Sequence, residues 1–361
     1  MKTIFRIATL VFAFYLPTAT FGQGVLTPPG APAPTMKTLA QIEPRTPVSS
    51  APFTITVPGS YYLTTNLTIS SNNAISISAN NVTLDLNGFT IFSTENPAAS
   101  SVGISLNAGT NISIFHGFIS GGVTINGGTY NGSGFANGIS ASNAVNVRVS
   151  GVSVCGCLYS GVFLGNNSVV ESCTVTTAGS YGIYATAVSD TTVQNCGLVG
   201  VYAGNSANNC CGAAFGAGTG VSANAANNCN GTAGADGTGV YASSAINCIG
   251  TAGASGTGVN SVNAINCYGT AGTGGTGVSA VTANNCTGAT TGGEGVGAYN
   301  ANNCNGASSG SGFGINAGYI ATGCFGESDS GTGVNALIAS VCHGATFSGV
   351  ALSTTHNINS Y

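Results

Sequence analysis

The sequence predicts an all-β protein: a parallel β-helix, or solenoid, of roughly 13 coils with about 19 residues per coil in its C-terminal half. Three observations carry this. Only 4% of the 361 residues are charged, against about 25% in ordinary soluble domains. Glycine supplies 57 residues. From Gly220 onward the chain repeats itself in seven units of 19, 19, 19, 18, 19, 19 and 16 residues, each opening on Gly-Val or Gly-Ile. The composition excludes other classes. Helix-forming Glu, Lys, Arg and Gln are too scarce for a helical bundle. The glycines have no three-residue period, which excludes collagen. With 43% hydrophobic residues the chain is not a charged disordered tail. No basic patch exists to neutralise phosphates, so nucleic acid is not an expected partner.

Residues 1–22 read as a secretory signal peptide. Lys2 and Arg6 form its positive start, Ile7 to Leu16 its apolar run, and Pro17 to Gly22 the small residues of a cleavage site. The run is too short to span a bilayer, and no later segment is longer, so no integral membrane span is expected once the signal is removed. The remaining chain carries Lys37, Arg45 and Arg148 against nine acidic residues, a formal charge of −6. Residues 23–50 hold six of the ten prolines and read as an extended linker. Residues 51–361 form the β-helix. Within 51–200 the coils are longer and irregular: Gly-Val or Gly-Ile recurs at Gly103, Gly138, Gly161, Gly182 and Gly200, with spacings of 18 to 35. Alternating apolar and polar residues in NVTLDLNGFTI and its neighbours mark strands. Residues 201–348 are the regular repeat, and 349–361 the C-terminal end.

A 19-residue unit cannot bury a core alone, but stacked neighbours can. Each unit offers three short β runs: one opening at Gly-Val, one before Asn-Cys and one beginning at Cys. The columns that stacking creates are regular. Ala207, Ala226, Ala245, Ala264, Ala283, Ala301, Ala321 and Ala339 stand three residues before a cysteine, where a narrow coil admits only a small side chain. Asn195, Asn209, Asn228, Asn247, Asn266, Asn285 and Asn303 directly precede a cysteine. Asn tolerates left-handed backbone at a bend, and stacked amides can hydrogen-bond from coil to coil in a semi-buried row. Gly323 and Val341 replace Asn at the last two units; glycine permits the bend, valine does so less readily.

Thirteen cysteines would ordinarily suggest disulfides in an exported chain. Here Cys210, Cys229, Cys248, Cys267, Cys286, Cys304, Cys324 and Cys342 fall once per coil. Stacked residues have parallel side-chain vectors about 4.8 Å apart, whereas a disulfide needs converging vectors and about 3.8 Å between Cβ atoms. The row reads as buried thiols packing as small apolar groups. No paired-cysteine spacing suits zinc, and no cofactor is expected.

The Gly-Ile/Val strand, the Asn-Cys corner and the NVTLDLNGFTI opening resemble exported right-handed parallel β-helix proteins of the pectate-lyase-like superfamily, over about residues 51–361. The resemblance implies the right hand and a set of polysaccharide lyases, glycoside hydrolases, tailspikes and adhesins as relatives. The clustered acids and bases that its enzymes use are sparse here. Gly-based register stacks Arg148 under Glu171 as an ion pair. Asp236, Glu294, Glu327 and Asp329 fall after the cysteines; only Glu327 and Asp329 are close enough to form a catalytic pair. Tyr268 and Phe325, outward after a cysteine, offer faces for sugar rings. Thr219, Thr238, Thr257, Thr276 and Thr332 form one file, interrupted by Glu294 and Phe313, of the kind an ice-binding solenoid presents. The expected role is structural or adhesive, secreted or at the cell surface, with polysaccharide or other surface proteins as partners. Polysaccharide processing is the first alternative and ice binding the second, and the balance leans away from an enzyme.

Overall fold

Alternation of apolar and polar residues makes each run a strand with one face inward, and parallel stacking of those faces closes the core. The structure, a computed structural model, describes residues 43–361. The signal peptide and the linker up to residue 42 lie outside the described residues. Within the described residues 32 strands join one continuous parallel sheet that winds as a solenoid. The winding makes about 16 turns rather than 13. The difference lies at the start. Thr46–Val48 already pairs with Gly59–Leu63, which pairs with Val82–Asp85, so the strand-rich opening is itself a set of coils. The solenoid therefore begins inside the stretch read as linker. At the other end Val350–Ile358 pairs along Thr332–Ser340 and supplies the last rung.

The Gly-Val file runs in register from Gly103 through Gly138, Gly161, Gly182 and Gly200 into the regular repeat. In that repeat the first two predicted runs merge into one nine-residue strand, such as Thr219–Asn227, followed by a short one, Asn230–Thr232. Earlier coils break the long strand at a corner made by Asn81, Asn111, Asn146 and Asn167, whose φ angles are 54° to 59°. The 35-residue gap between Gly103 and Gly138 holds an antiparallel hairpin, Gly122–Asn126 with Thr129–Ser133. Gly127 and Gly128 take positive φ at its turn, and the Tyr130 hydroxyl donates to the Asn195 carbonyl, 3.1 Å away.

All eight ladder alanines are fully buried. Their column continues N-terminally as Val188, Val170, Val149, Ile114 and Leu84, so the interior is wider at the first coils. The narrowing has a cause on the opposite wall. A Cβ placed on Gly250 would overlap the Gly258 carbonyl oxygen, and the same holds at Gly231, Gly269 and Gly288 against the next glycine of each coil. Two glycine columns thus meet inside the coil, with no room for a side chain between them.

The asparagine row is a left-handed corner, as its residues imply. In register it runs His116, Gly151, Ser172, Asp190, Asn209, Asn228, Asn247, Asn266, Asn285, Asn303, Gly323, Val341 and Asn359. Every φ in this file lies between 49° and 61°. The asparagine side chains are exposed rather than semi-buried. Asn228 Nδ2 donates to Asn209 Oδ1 at 3.3 Å, and Asn247 and Asn266 repeat the bond at 3.2 and 3.3 Å. Asn195 belongs elsewhere: Cys196 stacks under Ala178 and over Ala214, so Asn195 turns a different corner.

Candidate functional site

The eight ladder cysteines are free and buried, and Cys173 stands in the same file two coils before Cys210, with Thr191 between them. Each thiol finds carbonyl acceptors. Cys229 Sγ donates towards Ala207 O and Asn227 O, at 3.4 and 3.3 Å, and Cys248 and Cys267 do the same one and two coils on. Burial pushes the Cys173 thiol up to about 11 and, outside this file, the Cys196 thiol up to about 12, which keeps both protonated. The row is buried core, and at its C-terminal end the hydrogen bond with the Cys324 thiol pulls the Cys342 thiol down to about 6. Among the described residues no three His, Cys, Asp or Glu side chains converge as metal ligands.

Both arginines of the described residues lie at the wide end, each beside a carboxylate. Arg45 Nη1 donates to Asp85 Oδ2 at 2.9 Å, and its guanidinium lies 4.5 Å from the Tyr62 ring centroid. His116 Nδ1 stands 3.7 Å from Asp85 Oδ1. Arg148 grips Glu171 through two hydrogen bonds, one of them Nε to Oε1 at 2.9 Å. The pair forms on the diagonal, because Arg148 stacks on Val169 and Glu171 on Ser150. The corner after Ala141 is two residues longer than the one after Leu164, and that removes the Gly-based stacking of the two residues. A corner groove of about 290 Å³ lies beside His116, lined by Phe118, Ser153, Ser172 and Thr174. Asp85 and Glu171 are three rungs apart, about 14 Å, beyond the roughly 5–9.5 Å that two carboxyls flanking a glycosidic bond require.

The other acids do not assemble either. Asp236 sits in a turn at φ 57°. Glu294 is not in a loop after a cysteine but opens the strand Glu294–Asn302, where Asn316 Nδ2 donates to it at 2.7 Å. Glu327 sits within the strand Phe325–Ser328, flanked in register by Ala307 and Ala345, with Asp329 just beyond. Both are exposed and neither lines the corner groove beside His116. The threonine file is in register but half-buried.

The surface best shaped for a ligand is one that the repeat pattern did not single out. Phe163, Tyr184 and Tyr202 occupy successive rungs of one outward column. Phe163 stacks on Tyr184 with centroids 4.7 Å apart and 24° between planes; Tyr184 stacks on Tyr202 at 4.5 Å and 4°. Tyr181 packs edge-on against Tyr184 at 5.3 Å. Burial, then the neighbouring Tyr202 and Tyr181, pushes the Tyr184 phenol up, so it remains a neutral donor. The partner of Phe163 in the preceding coil is Ser140, too small to cover the ring. There a groove of about 360 Å³ opens, walled by Phe163 and Tyr184 and rimmed by Ser142, Asn143 and Asn166. The signal was present in the sequence as GVF, GIY and GVY, the third residue of each Gly-Val or Gly-Ile strand. Tyr268 is exposed as expected but has no ring partner among the described residues, and Phe325 packs against His343 with centroids 5.2 Å apart and the rings tilted by 38°. No family model, no curated protein and no solved structure matches the chain.

Proposed function

We infer that the chain is an exported β-helix, right-handed like the pectate-lyase-like proteins it resembles, that binds glycans in a structural or adhesive role at the cell surface or outside it. One observation carries the reading: a half-buried aromatic stack ends in an uncovered ring face, beside a groove rimmed by a hydroxyl and two amides. A sugar ring has an apolar face that suits an aromatic ring and hydroxyls that suit planar amides. The low charge favours neutral ligands over ionic ones.

The test is retention on a panel of neutral and acidic polysaccharides. Phe163→Ala and Tyr184→Ala should each weaken binding about tenfold, the loss of roughly 1.4 kcal/mol expected for one aromatic contact. Tyr268→Ala should leave it unchanged. If no polysaccharide is retained, or Phe163→Ala binds as well as the parent, the reading fails. The same panel addresses processing: release of reducing or unsaturated ends, lost in Glu327→Gln, Asp329→Asn or His116→Ala, would replace binding by catalysis. Ice binding has less support, since its threonine file is half-buried and broken at Glu294 and Phe313.

A further inference from the structure

The C-terminal coils carry an exposed apolar ridge with a trough beside it. Val262, Val281, Tyr299, Tyr319 and Leu337 stand on five successive coils and are 38% to 53% exposed. Tyr299 and Tyr319 stack at 5.5 Å with 16° between planes. Beside its first two members lies a trough of about 310 Å³ that spans three coils; its floor is Ala242, Ser261 and Ala280, its far wall Tyr241, Asn260 and Ser279, and its near wall Val262 and Val281, while Tyr299, Tyr319 and Leu337 continue the ridge beyond it. Neither row holds a charged residue, and Glu294 at the margin is already occupied by Asn316. Isolated apolar residues on a surface need no explanation, but a contiguous stripe does.

We propose that this ridge and trough form a two-fold interface between two copies of the chain, each ridge seated in the other's trough. The occupant follows from the spacing. Knobs that recur every 4.8 Å along an axis are matched by holes with the same repeat, which stacked parallel strands possess. Ridge and trough lie side by side on one face, so a two-fold axis between two copies satisfies both at once, as isologous contacts require. The five ridge side chains expose on the order of 400 Å² per copy, and adding the trough walls brings the total past about 1,000 Å², the lower bound of a specific interface. The absence of charge removes the repulsion that would keep two such faces apart.

Sedimentation equilibrium of the purified chain up to about 100 µM should show dimers, with half-association at micromolar concentration as expected for an interface of this size. Val281→Lys, an exposed substitution that leaves the fold unchanged by circular dichroism, should raise the dissociation constant at least tenfold. Mixing Val281→Lys with Ser279→Glu, which puts a carboxylate in the wall of the trough that receives the ridge, should restore association, which a folding defect would not do. Phe163→Ala should dimerise normally, so failure of the glycan reading and failure of this one are separate results. A monomer at about 100 µM, or a Val281→Lys chain that dimerises like the parent, overturns the proposal.

Discussion

Replacing Val341 by asparagine is expected to stabilise the C-terminal coils by about 1 kcal/mol. Val341 occupies the corner file at φ 55°. Left-handed backbone costs an L-residue about 1–2 kcal/mol, most for a branched side chain and least for glycine or asparagine. The offset is small, because Val341 is 63% exposed and little apolar contact is lost; burial of the remainder is worth about 0.5 kcal/mol. The new amide would stand between Gly323 and Asn359, where Asn359 can donate to it as Asn228 donates to Asn209. The measurement is urea unfolding followed by far-ultraviolet circular dichroism, with hydrogen exchange at the Cys342 and His343 amides to read the terminal coils directly. The converse substitution, Asn247→Val, should cost more, because it adds the backbone penalty and removes amide bonds to both neighbours. Unchanged or faster exchange in Val341→Asn would refute the claim that the corner selects residues by backbone conformation.

Gly250→Ala should prevent stable folding or cost at least about 3 kcal/mol, because its methyl meets backbone rather than a side chain that can turn away; loss of soluble expression or of the β spectrum checks this. Alkylation of the native chain without reductant should label Cys211 rapidly and the eleven buried thiols only after unfolding, with all thirteen labelled by then; mass spectrometry counts the additions. Glu95 accepts backbone N–H bonds from Ala99, Ser100 and Ser101, and although burial pushes its carboxyl up, these bonds with the Ser101 side chain hold it down at about 2. A folded value below the unfolded one stabilises above about pH 4.5, and that contribution fades as pH falls towards 2. Exchange protection of residues 95–101 should therefore decline across that window in the parent, and Glu95→Gln should flatten the profile.

The regular half of the fold was legible because each column repeats one residue type under one constraint. Ala at the narrow wall, Asn at the left-handed corner and Cys in the core each name their environment, and the lapses at Gly323 and Val341 marked the same corner by exception. The irregular half was harder because its coils differ in length at two corners. A difference of two residues after Ala141 and Leu164 was enough to misplace Glu171 by one diagonal. Asn195 misled for a similar reason: an Asn-Cys pair occurs at two different corners, and only strand pairing distinguishes them. The aromatic groove was hidden because Phe163, Tyr184 and Tyr202 read as ordinary strand residues. Their meaning depends on stacking across three coils of unequal length, not on any spacing within one.

The meeting of the two glycine columns has a consequence for how the chain can grow. Because each unit of 201–348 touches only the unit before and the unit after, duplicating or deleting one whole unit leaves every surviving contact intact. Length can change in single steps of about 4.8 Å, without redesign of the interior. An insertion between Tyr202 and Tyr241 would move the aromatic groove away from the ridge that begins at Val262 while altering neither. The narrow half can thus be lengthened or shortened by copying, and the wide half, whose coils are individual, is the part that cannot be edited in this way.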